Sequence, residues 1–176
     1  MRVDQRYRYV YKPLVLLTGL APFAWMLAGV MGWFGHDLGA DPVDEVLHAT
    51  GKTALNFLML TLLVTPVRYL AGLPHVVRLR RMLGLFVFFY AVLHFLVYFV
   101  VAQELDVSVI LTDIAKRPYI TVGFAALVLL VPLAVTSTNG MMRRLGGRRW
   151  QLLHRLVYVI AVLVVWHFYW QVKRDV

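Results

Sequence analysis

Five long apolar runs dominate the pattern of this chain, and shorter polar stretches separate them. The runs cover about residues 14–34, 52–72, 83–102, 119–136 and 152–171. Each is close to the ~20 residues that an α-helix needs to cross the hydrocarbon core of a bilayer. The pattern therefore predicts an all-α integral membrane protein, folded as a single transmembrane helical bundle of five spans. One domain is expected over residues 1–176.

Charged residues in the stretches between the runs are separated by sign. The N-terminal tail and the second and fourth loops are basic, with Arg2, Arg6, Arg8, Lys12, Arg68, Arg78, Arg80, Arg81, Arg143, Arg144, Arg148 and Arg149. The first and third loops carry most of the acids, Asp37, Asp41, Asp44, Glu45, Glu104, Asp106 and Asp113. Because basic loops favour the cytoplasmic side, the N-terminus is expected in the cytoplasm.

Composition narrows the possible classes of protein. The 176 residues are 61% hydrophobic and 15% charged, whereas soluble domains are about 45–50% apolar and about 25% charged. The chain has no cysteine, which excludes disulfides, thiol catalysis and cysteine-ligated iron–sulfur clusters. The net charge of +9 would suit a nucleic acid. The basic residues are concentrated in alternate loops, although Lys116 and Arg117 offset the acids of the third loop. This distribution instead indicates anionic lipid headgroups or an anionic cofactor on the cytoplasmic side.

Three histidines, His94, His154 and His167, lie inside the apolar runs with no acidic residue beside them. An ionisable side chain at membrane depth is costly and usually has a function, and imidazole is a common axial ligand of haem iron. The pattern indicates a protein that holds haem and moves electrons. A hydrogen bond to a neighbouring helix is the alternative for His94, and a bond to a lipid phosphate is the alternative for His154.

The depths of these histidines suggest how they pair. His94 lies about twelve residues into the third span, roughly 18 Å from its cytoplasmic end. His154 and His167 differ in depth by roughly 20 Å and face different sides of an ideal helix. His94 and His167 are therefore the preferred pair for one haem, which leaves His154 for a second haem or a flavin. His48, at the outer start of the second span, is expected to be a loop or interface residue.

Two basic cytoplasmic segments are candidate binding sites for the anionic part of a cofactor. Arginine binds phosphates and carboxylates through paired hydrogen bonds, and a loop of hydroxyls and glycines can present backbone amides to an anion. A flavin phosphate, haem propionates or a quinone headgroup would fit, and charge that only sets the topology is the alternative. The candidates are Arg80, Arg81, Ser137, Thr138, Arg148, Arg149, Trp150 and Gln151.

Aromatic residues are frequent in the third and fifth spans. They would provide the apolar walls of a haem pocket, but aromatic residues near span ends also form belts at the membrane interface. The residues concerned are Phe86, Phe88, Phe89, Tyr90, Trp166, Phe168, Tyr169 and Trp170.

Several segments resemble the MsrQ (formerly YedZ) family, which belongs with the ferric-reductase-like transmembrane domains. They are Arg80–Leu85 (RRMLGL), Thr136–Asn139 (TSTN), Gly147–Tyr158 (GRRWQLLHRLVY), Gly39–Val43 (GADPV) and Arg117–Tyr119 (RPY). The resemblance covers nearly the whole chain, and the motifs together are specific. Members of this family are haem-binding membrane subunits of a methionine sulfoxide reductase system.

The resemblance implies b-type haem and FMN as cofactors and a bacterial inner-membrane location. It implies that electrons come from the quinone pool or a cytosolic flavin reductase. They would pass to MsrP, a periplasmic molybdopterin enzyme that reduces methionine sulfoxide in damaged proteins. The family's functional histidines fall on His94, His154 and His167. No residue suited to bond chemistry on methionine sulfoxide is visible, so the chain is expected to be an electron-transfer subunit.

Two features stay open at this point. Family members usually carry a sixth span, whereas this sequence stops at Val176. The number of haems is also open, because three histidines allow one haem with two histidine ligands and a spare histidine, or two haems with a shared or non-histidine ligand.

Two other functions compete with electron transfer to a reductase partner. A ferric or other metalloreductase would need an outer substrate site, for which the candidates are Asp41, Asp44, Glu45 and His48. A transporter or other non-redox membrane protein would show no Soret band. A transporter should also have broken helices with polar residues at the midplane, where Asn56, Thr61 and Thr65 are weak candidates.

Overall fold

A computed structural model describes residue 5 and residues 7–174. All regular elements in this part of the chain are helices, which confirms the predicted all-α class. The helices form two compact units, of which the first ends at Val97 and the second begins at Tyr98. Arg2 and Arg6 of the basic tail lie outside the described residues. The single domain and the cytoplasmic N-terminus stay predictions.

The first unit contains three long helices. They are α1 (Lys12–Val30), which follows a π-helical turn at Tyr7–Tyr11, α2 (Pro42–Leu70) and α3 (Val77–Leu96). Short 3₁₀ turns at Trp33–Gly35 and Pro74–Val76 connect them. Gly72 has a φ of +62° just beyond α2. Glycine adopts this left-handed conformation without steric cost, so it provides a natural end to the helix.

The second unit contains five helices in the part of the chain that is described. α3 first continues as a π-helical segment, Val97–Ala102. The helices are then α4 (Val107–Lys116), α5 (Pro118–Val135), α6 (Asn139–Leu145), α7 (Gly147–His154) and α8 (Leu156–Arg174). Side-chain caps start two of them, because Asp106 accepts hydrogen bonds from the backbone at Ser108 and Val109, and Thr138 accepts one from Met141.

Among the described residues, five helical stretches are long and apolar enough to cross a membrane, which confirms the predicted number of spans. Two of these helices begin well before the apolar runs on which the spans were predicted. The second helix begins at Pro42 rather than near residue 52, and the third begins at Val77 rather than near residue 83. Polar first turns lower the hydropathy without preventing helix formation. Asp41 caps α2 by accepting from the Asp44 amide, and Pro42 suits the first helical position.

A further helix, α4, lies where the sequence predicted only an acidic outer loop. It is too short to span a bilayer. Ile110 and Asp113 are buried on one side, whereas Val107 and Leu111 are exposed. Mixed apolar and charged residues over ten positions gave no continuous apolar run, and this explains why the hydropathy pattern did not predict the helix.

An aromatic cluster forms the core of the first unit. Tyr90 is fully buried, and its ring is stacked on Phe57 with ring centroids 5.6 Å apart. Phe86 stacks on the same ring at 5.1 Å and packs so tightly on Gly19 that a Cβ there would collide with it. Phe86 and Tyr90, considered above as possible pocket walls, are thus core residues of this unit.

The second unit has its core between α5 and α8. Leu130 and Leu133 are buried on α5, and Val157 and Ile160 are buried on α8. Outside the cores, both units leave large apolar side chains exposed along the long helices, including Leu17, Leu63, Val128 and Val162. An apolar outer surface of this kind is suited to lipid rather than to water.

Candidate functional site

His94 contacts the start of α2 within the first unit. Its Nδ1 lies 3.0 Å from the carbonyl oxygen of Leu47 and 3.3 Å from Oγ1 of Thr50. The Thr50 hydroxyl donates to backbone carbonyls of its own helix, so its oxygen can accept from the histidine. The imidazole also lies over Gly51, where an added Cβ would be 3.1 Å from Cε1.

His167 has the same kind of surroundings within the second unit. Its Nδ1 lies 2.7 Å from the carbonyl oxygen of Tyr119, near the start of α5. The imidazole lies over Gly123, where an added Cβ would be 2.8 Å from Nδ1 and 2.9 Å from Cε1. The ring is thus held against a bare stretch of α5 backbone.

His154 is held by its own helix and by a tryptophan. Its Nδ1 lies 3.0 Å from the carbonyl oxygen of Trp150, one turn earlier in α7, and the two rings are stacked with centroids 3.8 Å apart. The indole Nε1 of Trp150 donates to the carbonyl of Thr136, at 2.9 Å. These contacts hold the His154 imidazole within the second unit.

The three imidazoles are held in the same tautomer. A carbonyl oxygen only accepts hydrogen bonds, so Nδ1 carries the proton in each ring. In the neutral imidazole the lone pair is then on Nε2, the form in which histidine binds a metal ion. Ligating histidines usually donate their other ring nitrogen to a carbonyl or carboxylate, which fixes the ring and increases its basicity. The residues present therefore fit axial ligation of a haem iron.

The predicted anion-binding residues divide between the units. Arg80, in α3, donates from Nη1 to Oγ1 of Thr65 at 3.2 Å, and Arg81 is exposed on the same helix. In the second unit, the Ser137 hydroxyl donates to the Leu133 carbonyl, so it serves the end of α5. Five further candidates lie at the α6 cap or on α7, namely Thr138, Arg148, Arg149, Trp150 and Gln151.

Comparison with known proteins identifies the family. Residues 50–165 match the model of the ferric reductase like transmembrane component. Relatives named protein-methionine-sulfoxide reductase heme-binding subunit MsrQ match over most of the chain. The protein from Ralstonia nicotianae is 53% identical, with 89% of this chain and 70% of the relative covered. That from Xanthomonas euvesicatoria is 51% identical (94% and 77%), and that from Rhodospirillum rubrum is 52% identical (92% and 76%).

The chain belongs to the MsrQ family. This confirms the resemblance inferred from the motifs and, with the five long apolar helices, makes the chain a multi-pass membrane protein. No solved structure matches it. Two of the three histidines of this MsrQ-family chain, His94 and His154, lie inside the matched region, and His167 follows it by one turn or less.

Acidic residues at the start of α2 have local structural roles in this MsrQ-family chain. Asp41 caps α2, and Oδ2 of Asp44 lies 3.0 Å from Nδ1 of His48, one turn later. The loop or interface role of His48 stays a prediction. Throughout residue 5 and residues 7–174, no group of three or more His, Asp or Glu side chains is close enough to hold a metal ion.

The partners of His94 and His167 could not be predicted from the sequence. The carbonyls of Leu47 and Tyr119, and the bare backbone at Gly51 and Gly123, position His94 and His167. A backbone carbonyl leaves no mark on a sequence. The only available signal was the pair of glycines, each near the start of an apolar helix.

Proposed function

We propose that this member of the MsrQ family is a transmembrane electron conduit that binds b-type haem through His94 and His167. The observation that carries the proposal is the location and hydrogen bonding of these two histidines. Each lies within a long apolar helix, and each donates Nδ1 to a backbone carbonyl. The names of the relatives, which include heme binding, support the same reading.

The role of the histidines follows from their chemistry. Both would present Nε2 to the iron, while the carbonyls of Leu47 and Tyr119 hold the rings in orientation. When bound, the haem supplies a one-electron carrier whose potential depends on axial ligands, hydrogen bonds and burial. Exclusion of water from the bound group would also contribute to its potential.

His154 would serve a second group on the cytoplasmic side, either a second haem or FMN. Its stacking on Trp150 and the nearby arginines Arg148 and Arg149 support this. Arginines bind phosphates well, so these two, with Arg80 and Arg81 of the first unit, are proposed to bind a flavin phosphate, a quinone headgroup or haem propionates.

The proposed donor is the quinone pool or a cytosolic flavin reductase, and the proposed acceptor is an MsrP-like periplasmic molybdopterin reductase. The protein would lie in the bacterial inner membrane. In this role it supports the repair of methionine sulfoxide in periplasmic proteins and performs no bond chemistry on the sulfoxide. The subunit names of the relatives support a partner reductase.

The first test is the reduced-minus-oxidised absorption spectrum of the purified protein, with a pyridine haemochrome titration to count haem per chain. The variants are His94→Ala, His154→Ala and His167→Ala. The exposed His75 in the turn before α3 provides the matched control, His75→Ala. We expect a b-type spectrum that is lost in the first and third variants, largely kept in His154→Ala and unchanged in the control.

Three other results are informative. Loss of haem in all three variants, with the control intact, would overturn the pairing of His94 with His167 alone and favour two haems with coupled ligation. An intact protein that takes up no haem, even after reconstitution, would overturn the electron-conduit proposal. Reoxidation of the reduced protein by chelated ferric iron but not by a periplasmic partner would favour a metalloreductase instead.

A further inference from the structure

The same local arrangement occurs once in each unit, although the sequence shows no internal repeat. In the first unit, α2 offers the carbonyl of Leu47 and then, four residues later, Gly51, and His94 of α3 contacts both. In the second unit, α5 offers the carbonyl of Tyr119 and then, four residues later, Gly123. His167 of α8 contacts both of these groups.

Helix geometry explains why a glycine must stand four residues after the carbonyl. Within a helix, the carbonyl of residue i already accepts from the amide of residue i+4. Its second lone pair points outward and can accept from another group. Side chains in a helix lean toward the N-terminus, so a side chain at i+4 covers the turn in which that carbonyl lies. Glycine at i+4 leaves the carbonyl open to the histidine.

We propose that Gly51 and Gly123 are positioning residues for the haem ligands, a role that rests on the proposed function. Each glycine leaves room for an imidazole to pack against the helix backbone. The Nδ1–H of that imidazole can then donate a hydrogen bond to the carbonyl one turn earlier. That hydrogen bond fixes the tautomer and the ring orientation. The glycines thereby set the geometry and basicity of Nε2, where the iron would bind.

The imidazole packs more closely on Gly123 than on Gly51. An alanine at position 123 should therefore disturb its histidine more than an alanine at position 51. At Gly123 an added Cβ would be under 3.0 Å from both Nδ1 and Cε1 of His167, and the hydrogen bond to Tyr119 is short, at 2.7 Å. The ring would have to move and lose that bond. At Gly51 the nearest ring atoms would be at 3.1 and 3.2 Å, and the Thr50 hydroxyl is a second nearby acceptor. A smaller displacement is sufficient there.

The experiment compares Gly51→Ala and Gly123→Ala with Gly84→Ala. Gly84 is also inside a long helix, but an added Cβ would meet only Cγ2 of Thr61, at 3.9 Å. All three changes bring the same gain in helix propensity, so only the histidine contact distinguishes them. The readouts are haem affinity, the midpoint potential and the low-spin ferric EPR signal of the purified, reconstituted protein.

We expect haem affinity to fall about tenfold or more in Gly123→Ala, the usual effect of losing support for a ligand. The potential and EPR signal should shift with it, Gly51→Ala should show smaller changes in the same direction, and Gly84→Ala should match the wild type. Wild-type affinity, potential and EPR signal in Gly123→Ala would overturn the proposal. Failure of the wild type itself to bind haem would count against the proposed function instead.

A second measurement separates positioning of the ligand from general damage to helix packing. In the apoprotein, the effect of Gly123→Ala on thermal unfolding is compared with its effect in a His167→Ala background, as a double-mutant cycle. If the added methyl acts through the imidazole, its cost should largely disappear when the ring is absent. A cost that is unchanged in the His167→Ala background would show that the glycine serves packing alone and would overturn the proposal.

Discussion

The Tyr90 hydroxyl bridges the Gly19 carbonyl and the Phe23 amide of α1. In a regular helix that carbonyl would accept from the amide of Phe23. Here the hydroxyl accepts from the Phe23 amide at 3.1 Å and donates to the Gly19 carbonyl at 2.7 Å. Pro22 has already removed one donor from this turn. The tyrosine of α3 thus hydrogen-bonds to two backbone groups of α1 and links two helices of the first unit.

Replacing Tyr90 by phenylalanine should destabilise the first unit. The variant keeps the stacked ring but leaves the Gly19 carbonyl and the Phe23 amide without the hydroxyl between them, at an expected cost of about 1–3 kcal/mol. Thermal unfolding in detergent measures this cost. Tyr158→Phe, at an exposed position on α8, is the control and should stay near the wild type. Equal stability of the two variants would show that the Gly19 carbonyl and the Phe23 amide do not need the Tyr90 hydroxyl.

The number of long helices could be predicted because it depends on local hydropathy. The starts of the helices could not be predicted in this way. α2, for example, begins with the cap residue Asp41 and with Pro42, and a hydropathy average does not detect such local signals. The histidines could be identified because ionisable residues are rare in apolar runs. Their partners could not, because the carbonyls of Leu47 and Tyr119 meet them only after neighbouring helices pack.

A buried carboxylate holds the short helix α4 in the second unit. Asp113 accepts a hydrogen bond from the Tyr98 hydroxyl at 3.0 Å and pairs with Nε of Arg117 at 3.0 Å. The pKa of Arg117 is raised, chiefly by its hydrogen bond to the Tyr119 hydroxyl, so this arginine stays charged at every accessible pH. The carboxylate therefore always faces a cation, and its neutralisation should loosen the helix.

Asp113→Asn tests this anchor. The amide keeps one acceptor but loses the charge, and because Arg117 is half exposed we expect a modest cost of about 1–2 kcal/mol. Backbone amides of α4 should then exchange with deuterium roughly 5- to 30-fold faster, while those of α5 and α8 stay protected. Glu45→Gln, at an exposed acid of α2, is the control. Unchanged exchange in α4 would show that its apolar contacts, such as buried Ile110, are sufficient.

Trp150 connects His154 to the end of α5, through its ring stacked on His154 and its indole bond to the Thr136 carbonyl. Trp150→Phe keeps an aromatic ring and removes the bond, so we expect about 1–3 kcal/mol of destabilisation. The aromatic ring stacked on His154 would no longer be fixed by the hydrogen bond to the Thr136 carbonyl. Any cofactor signal that depends on His154 should therefore change. Signals that depend on His94 and His167 should not, because those rings are held by other carbonyls.

Trp166→Phe provides the comparison for this change, because Trp166 is half exposed on α8 and packs edge to face on Trp170. Thermal unfolding and the reduced-minus-oxidised spectrum are measured for both variants. A loss of stability and an altered spectrum confined to Trp150→Phe would support a positioning role at the cytoplasmic side. The same losses in Trp166→Phe would attribute them to the removal of any indole, and His154 would then need no support from Trp150.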